Sequence, residues 1–489
     1  MYSTNNYCDI DTFEKYVLCH DKRYENSYIL SGYYHYGNKF LSRLSIFDGN
    51  RGTVKHDKEK VNKILGILMN DKYKLEDKTK QLEEFSEVEK KGIGSMLGMA
   101  IGDAMGARNE FKTPRYGEKD LENMGKGPGG HFKLQPGQWT DDTSMGLCIA
   151  DSLIMNNGEL SPHDIMHRFI AWWRGGYNNA FRYNEPPRGS VGLGGNISLA
   201  IKNYMDHFQL YGKLANPATE AGDKNTSGNG SIMRNAAIPI CFYEDIHLAC
   251  EMARKQSLIT HQGDEAKECC SLLTHIIVKL LNVKSNEKNK NKDNNIDNNK
   301  DNNIDNNKYN NINDNKDNNI NDNKDDYLDY IKKNILNNLG KTFNTDIKSV
   351  KCLANHQREG DDKDRDWDWT VEQYKYSPTR TKKQRGYVGS YAMDNMAMSL
   401  NTIYQTYNFR DAIIRAVNIR GDSDSVASVV GQIAGALYPI ETIPGDWIKA
   451  ICNWDHGEIA LRGYMLARIG KNNNSKNVKN KKERLSYVV

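Results

Sequence analysis

A mostly α-helical domain, split by one long polar insertion, is what this sequence predicts. Helical apolar spacing recurs on both sides of the insertion. Glycines fall four residues apart in two distant segments. The stretch "SVASVVGQIAGALYPI", starting at Ser425, is apolar nearly all round, and a helix of that kind belongs in a protein centre.

Residues 1–87 form an N-terminal extension of unassigned role. Its aromatic "YILSGYYHYGNKFLSRLSIF" suits short strands, and Val61, Ile64, Leu65 and Leu68 then fall at i, i+3, i+4 and i+7 of a helix. Residues 88–283 open the main domain. Gly94, Gly98, Gly102 and Gly106 recur every four residues, the pattern of a helix edge that lets another backbone approach closely, with Asp103 and Glu110 flanking it. Ser161 and Pro162 start a further helix as N-cap and first residue, with Asp164 in a capping-box position. Ile165, Met166, Phe169, Ile170 and Trp173 are its apolar face. Residues 284–325 are almost wholly Asn, Asp and Lys, with Ile296, Ile304, Ile312 and Ile320 at a period of eight. So few apolar groups cannot bury a core, and the segment is expected to be disordered. Residues 326–470 resume the domain, with Met393, Met396, Ala397, Leu400 and Ile403 on one stripe and Gly431 and Gly435 as the second glycine pair. Residues 471–489 read as a basic, solvated tail.

Basic residues number 67 against 63 acidic, a net of +4, which argues against a dedicated nucleic-acid binder. Nine cysteines without a C-x-x-C spacing fit free thiols in a reducing compartment. No signal peptide and no membrane span of about 18 apolar residues is evident. A soluble intracellular protein is expected.

Two acidic clusters carry candidate chemistry. "WTDDTS" holds Thr140, Asp141, Asp142 and Thr143, and "GDSDS" holds Asp422, Ser423, Asp424 and Ser425, ahead of a helix expected from near Val426. Either cluster alone reads first as a helix cap, since Asp, Ser and Thr accept from free N–H groups at a helix start. Capping needs one side chain per helix, and surplus carboxylates sharing one cleft would call for a cation. Such oxygen donors suit Mg²⁺, Mn²⁺ or Ca²⁺ over zinc. Two glycine-rich stretches, "SVGLGGNIS" and "NTSGNGSIMR", offer N–H groups for a diphosphate. "HDIMH" has Asp where a zinc-protease helix needs Glu, so His163 and His167 read as surface histidines.

The stretches "GMAIGDAMGARNEF", "GQWTDDTSM", "SGNGSIMRNAAIPI", "LITHQGDEA", "GYVGSYAMDNMAMSL" and "AVNIRGDSDSVASVVGQIAGALYPIETIPGDWI", in this order, resemble the ADP-ribosylglycohydrolase family. The resemblance spans about residues 90–450, outside the Asn-rich insertion. It implies an all-α fold around a cleft with two divalent cations, Mg²⁺ or Mn²⁺. The ligands it implies are Thr140, Asp141, Asp142, Asp422, Asp424 and Ser425, the last replacing a frequent Thr while keeping the oxygen. Glu110 or Asp142 is implied as the proton carrier, with Asp103 structural. Ser227, Gly228, Asn229, Gly230, Met233 and His261 match positions lining the ADP-ribose site, and Gly192, Gly195 and Asn196 are a candidate diphosphate cradle. The implied substrate is an ADP-ribosylated protein or a small ADP-ribosyl compound, cleaved at C1″ of the ribose. A catalytically idle, ADP-ribose-binding relative is the alternative. Trp367 and Trp369, in a charged segment at 358–385, are candidates for a cleft rim that reads the acceptor.

Overall fold

The computed structural model describes residues 51–115, 117, 119–181, 189–211, 216–217, 226–283, 322–374 and 377–486. The expected strands of the first fifty residues lie outside these. Helices dominate, and the described residues contain no strand, only isolated bridges such as Gly228 with Tyr391. The helices that position the site are α1 (Arg51–Leu68), α2 (Glu87–Gly106), α3 (Asp141–Met155), α4 (Pro162–Gly175), α5 (Gly195–Tyr211), α6 (Asp264–Asn282), α7 (Ala392–Tyr404), α8 (Phe409–Ile419), α9 (Ser423–Leu437) and α10 (Glu458–Ser486).

Helix α2 is the spine. Ser86 starts it with a full capping box: its hydroxyl accepts from Glu89 N at 3.3 Å, and the Glu89 carboxylate accepts from Ser86 N at 3.0 Å. Helix α9 lies against it antiparallel along both glycine series. A Cβ added at Gly94 would stand 2.3 Å from Gly435 O, at Gly98 2.0 Å from Gly431 O, and at Gly102 2.0 Å from Ala427 O. Only glycine permits backbones this close. The antiparallel sense brings the C-terminal end of α2 to the N-terminal end of α9, and with it Asp103 to Asp424.

Several expectations are corrected by packing. Helix α9 begins at Ser423, not near Val426, so Asp424 and Ser425 belong to its first turn. In α4, Ser161 accepts from Asp164 N at 3.4 Å, and Trp173, half-buried, packs against the core beside the fully buried Trp172. His167 is buried and bonds the Tyr204 hydroxyl at 3.0 Å, so it is no surface histidine. Trp367 and Trp369 are wholly buried; Trp369 donates to Leu353 O at 2.8 Å, so neither forms a rim. Residues 322–325, assigned to the disordered insertion, start the helix Asp322–Ile335; the rest of the insertion lies outside the described residues. The tail is continuous with α10, which runs to Ser486. Helix α1 is as predicted: Val61, Ile64, Leu65 and Leu68 are buried, and Asp57 pairs with Arg468 of α10.

Candidate metal centre

Three chain segments meet where α2 ends and α3 and α9 begin. Carboxylate oxygens of Asp103, Asp142 and Asp424 lie within 4.8 Å of one another, and so do those of Glu110, Asp422 and Asp424. Asp424 belongs to both groups. The first group is buried, while Glu110 and Asp422 are half-buried and face the open side. The two clusters noted in the sequence, nearly three hundred residues apart, therefore form one site.

Thr140 does not cap α3. Asp103 does so from the neighbouring helix, accepting from Thr140 N at 3.0 Å and Thr143 N at 2.9 Å, and from their hydroxyls at 2.8 and 2.6 Å. Asp103 thus fills the structural part the resemblance implied, and it also joins the first carboxylate group. An acid inside an otherwise apolar helix, beside the glycine edge, was the available signal for that second part. Asp141 belongs to neither group among the described residues. It faces the glycine loop: a Cβ at Gly192, where φ is 89°, would stand 2.0 Å from Asp141 Oδ1. Ser425 Oγ lies 3.6 Å from Met233 Sδ.

Burial, then mutual repulsion, raises the pKa of Asp142 and Asp424 well above the usual carboxylate range. Burial with Asp422 and Asp141 nearby pushes Glu110 up to about 9. Buried carboxylate oxygens normally have partners, yet Glu110 Oε2, Asp142 Oδ1 and Asp424 Oδ1 have none. Three unpartnered oxygens and a carboxylate shared between two triads are donors that could hold a hard divalent cation. The residues present fit that group.

The loop at 227–230 borders the centre. Asn229 Nδ2 donates to Asp422 Oδ2 and to Gly389 O, both at 3.0 Å. The strut 388–392 fixes it: Asn229 N donates to Ser390 O at 2.9 Å, Ala392 N to Ser227 O at 2.9 Å, and Asp422 N to Val388 O at 2.8 Å. Tyr391 of this strut bonds Glu265, which pairs with Arg365, so Arg365 braces the strut through Glu265. A Cβ at Gly228 would lie 3.2 Å from Asn196 Nδ2 and 3.4 Å from His261 Nε2, and one at Gly230 would lie 2.7 Å from His261 Cε1. Asn196, in the first turn of α5 after Gly195, thus joins Gly228, Gly230 and His261 in one wall. His261 is held neutral by burial, its pKa lowered to about 3, with Nδ1 2.8 Å from Thr260 Oγ1. At the mouth, Phe111 has a φ of 63° and Arg420 one of 69°. Such values are uncommon outside glycine. Phe111 N bonds Gly421 O at 2.8 Å, and Gly421 N bonds Lys112 O at 3.0 Å, tying the residue after Glu110 to the residue before Asp422.

Comparison with known proteins agrees with this architecture. The ADP-ribosylglycohydrolase family model matches residues 85–474. The ADP-ribosylarginine hydrolase Tri1 of Serratia proteamaculans is 28% identical over 366 residues, covering 75% of this chain and 76% of that protein. Its counterpart from Pseudomonas putida is 27% identical, covering 74% of each. The ADP-ribosyl-[dinitrogen reductase] glycohydrolase of Rhodospirillum rubrum is 24% identical, covering 74% of this chain and 91% of that one. A solved structure described as an ADP-ribosylglycohydrolase-related protein complex shares the fold, with a TM-score of 0.52, 24% identity, and coverage of 78% of this chain and 99% of that chain. With a match over most of its length and an all-α architecture to go with it, the chain belongs to the ADP-ribosylglycohydrolase family, hydrolases of ADP-ribosyl glycosidic bonds.

Proposed function

We propose that the chain removes ADP-ribose from modified protein side chains, with arginine as the first acceptor, using two divalent cations of the Mg²⁺ or Mn²⁺ kind. The observation that carries this reading is Asp424, common to two carboxylate triads that leave three buried oxygens unpartnered. The arginine preference rests on the names of the Serratia and Pseudomonas relatives.

Asp103, Asp142 and Asp424 would hold one cation, and Asp422 with Asp424 the other, beside Glu110, with Thr140, Asp141 and Ser425 as further oxygen donors. Bound there, the cations would orient the ribose hydroxyls and lower the pKa of a water. Cleavage at C1″ passes through an oxocarbenium-like state. Glu110, on the open side, is assigned the proton transfer between water and leaving group, and Asp142, deeper, the ligand role. Asn229 orients Asp422, and neutral His261 with Asn196, Gly192, Gly195, Gly228 and Gly230 lines the path of the ADP-ribose. Ser227 and Met233 complete that wall.

Release of ADP-ribose from arginine- and serine-modified peptides, with and without Mg²⁺, tests the reading. Mg²⁺-dependent release of free ADP-ribose, faster from arginine, is expected. Release of AMP or phosphate would make the chain a phosphohydrolase. Tight ADP-ribose binding without release would make it a binding protein.

A further inference from the structure

Exposed cations gather on one side of the carboxylate cluster, beside the residue that follows Glu110. Helix Pro378–Lys383 runs into the turn Arg385–Tyr387, and a Cβ at Gly386 of that turn would stand 2.9 Å from Phe111 O. Lys112, the next residue along, is therefore beside Arg385, and the Phe111 and Tyr387 rings are 5.4 Å apart. Lys382, Lys383, Arg385 and Lys112 are all exposed. None of the four makes an ion pair among the described residues; Lys112 donates to the neutral amide of Asn109 at 2.7 Å. Three acids of the neighbouring segments are engaged elsewhere. Asp120 pairs with Arg420, Asp364 accepts from Ser377 Oγ at 2.7 Å and Thr379 N at 3.0 Å, and Asp394 holds Arg380.

The whole chain carries a net charge of only +4, so four unpaired cations at one lip are a local concentration, not a general excess. Such a field selects and steers a partner of opposite sign. It borders a cleft whose floor is strongly acidic. A partner must therefore put a group into the cleft while its own anionic surface stays at the rim. A lip this short matches a few carboxylates and falls short of the extended basic track of nucleic-acid binders.

We propose that this cationic lip docks an acidic stretch of the modified protein next to its ADP-ribosylated side chain. The proposal rests on the hydrolase reading for the identity of the partner. Its test uses the full chain, two peptides each bearing one ADP-ribosylarginine, and the triple variant Lys382→Glu, Lys383→Glu, Arg385→Glu. One peptide has flanking Asp and Glu, the other Asn and Gln. For the unaltered chain, KM for the acidic peptide should be lower by about tenfold. The preference should vanish in the variant and in about 0.5 M salt, with hydrolysis of free ADP-ribosylarginine unchanged. Anisotropy of labelled, unmodified peptides gives a second readout that needs no turnover. Equal KM values for the two peptides, or equal affinity for them, overturn the proposal. Tighter binding of a short single-stranded RNA than of the acidic peptide also overturns it and gives the face to nucleic acid. Charge-dependent peptide binding without any hydrolysis would support the docking face and overturn the hydrolase reading.

Discussion

Asp424 stands within 4.8 Å of four other carboxylate-bearing residues, counting both its groups. In the absence of cations that crowding opposes folding, since burial and like charge both disfavour the ionised form. Asp424→Asn should therefore raise the melting temperature of the cation-free protein by about 2 °C, while abolishing the rise that Mg²⁺ gives the parent by binding the folded state. Hydrolysis should fall by at least about a hundredfold. Thermal scans with and without Mg²⁺, beside a rate assay, check both halves; an Asn variant that keeps its Mg²⁺ shift would refute the ligand assignment. His261 gives a pH prediction. Its imidazole binds a proton near 6.5 when unfolded but only near 3 when folded, so the unfolded chain takes up more protons and stability falls as pH drops below about 6.5. Between pH 6.5 and 5 that loss is about 2 kcal/mol. Buried carboxylates with raised pKa act with the opposite sign, so the comparison is differential: His261→Gln should unfold in urea with a smaller acid-side loss than the parent. Identical pH profiles would show that His261 titrates normally.

At the scale of elements, the α2–α9 pair depends on glycine at specific positions. A Cβ at Gly431 would lie 1.9 Å from Gly98 O, and backbone cannot yield as a side chain does. Gly431→Ala should cost at least about 3 kcal/mol. Gly66, on α1, has nothing within 4 Å of such a Cβ, so Gly66→Ala should gain about 1 kcal/mol from helix propensity alone. Denaturant midpoints of the two variants, moving in opposite directions, check the contrast. This pairing was legible in the sequence because glycines four apart mark one helix edge whatever lies opposite. The identity of the opposite helix was not legible, because periodicity carries no distance between segments. The start of α9 was misjudged for a related reason. "GDSDS" was read as cap sequence, but the turn at Gly421, with φ of 66°, lets the helix begin at Ser423 and puts Asp424 on the face toward α2.

For the molecule as a whole, the family match begins at residue 85, yet α1, before it, buries Val61, Ile64, Leu65 and Leu68 against the same core. Deleting residues 1–84 should expose that surface and yield aggregating protein. Excising residues 286–320 should leave the melting temperature within about 1 °C, since the flanking helices α6 and Asp322–Ile335 pack together and a shorter loop costs little closure entropy. Light scattering and thermal scans of the two deletions check this. The site's two halves could be recognised from residue types alone, because carboxylates and hydroxyls at two helix starts exceed what capping uses. Asp103 was given only a structural part because its second one exists solely through the approach of Asp142 and Asp424. Trp367 and Trp369 were misread because a charged neighbourhood hides which side chains turn inward.

The glycine contact between α2 and α9 has a mechanical meaning for the cluster. Side chains relax when crowded, but here the separation of Asp103 from Asp424 is set by main chain touching main chain, as when Gly106 meets the Asp424 Cα. The acids cannot ease apart, so the apo protein works as a compressed spring whose stiffness belongs to the backbone. A proton relieves that repulsion, as the raised pKa of Asp424 reflects, and a cation bound in its place would recover as binding free energy what the crowding costs the fold.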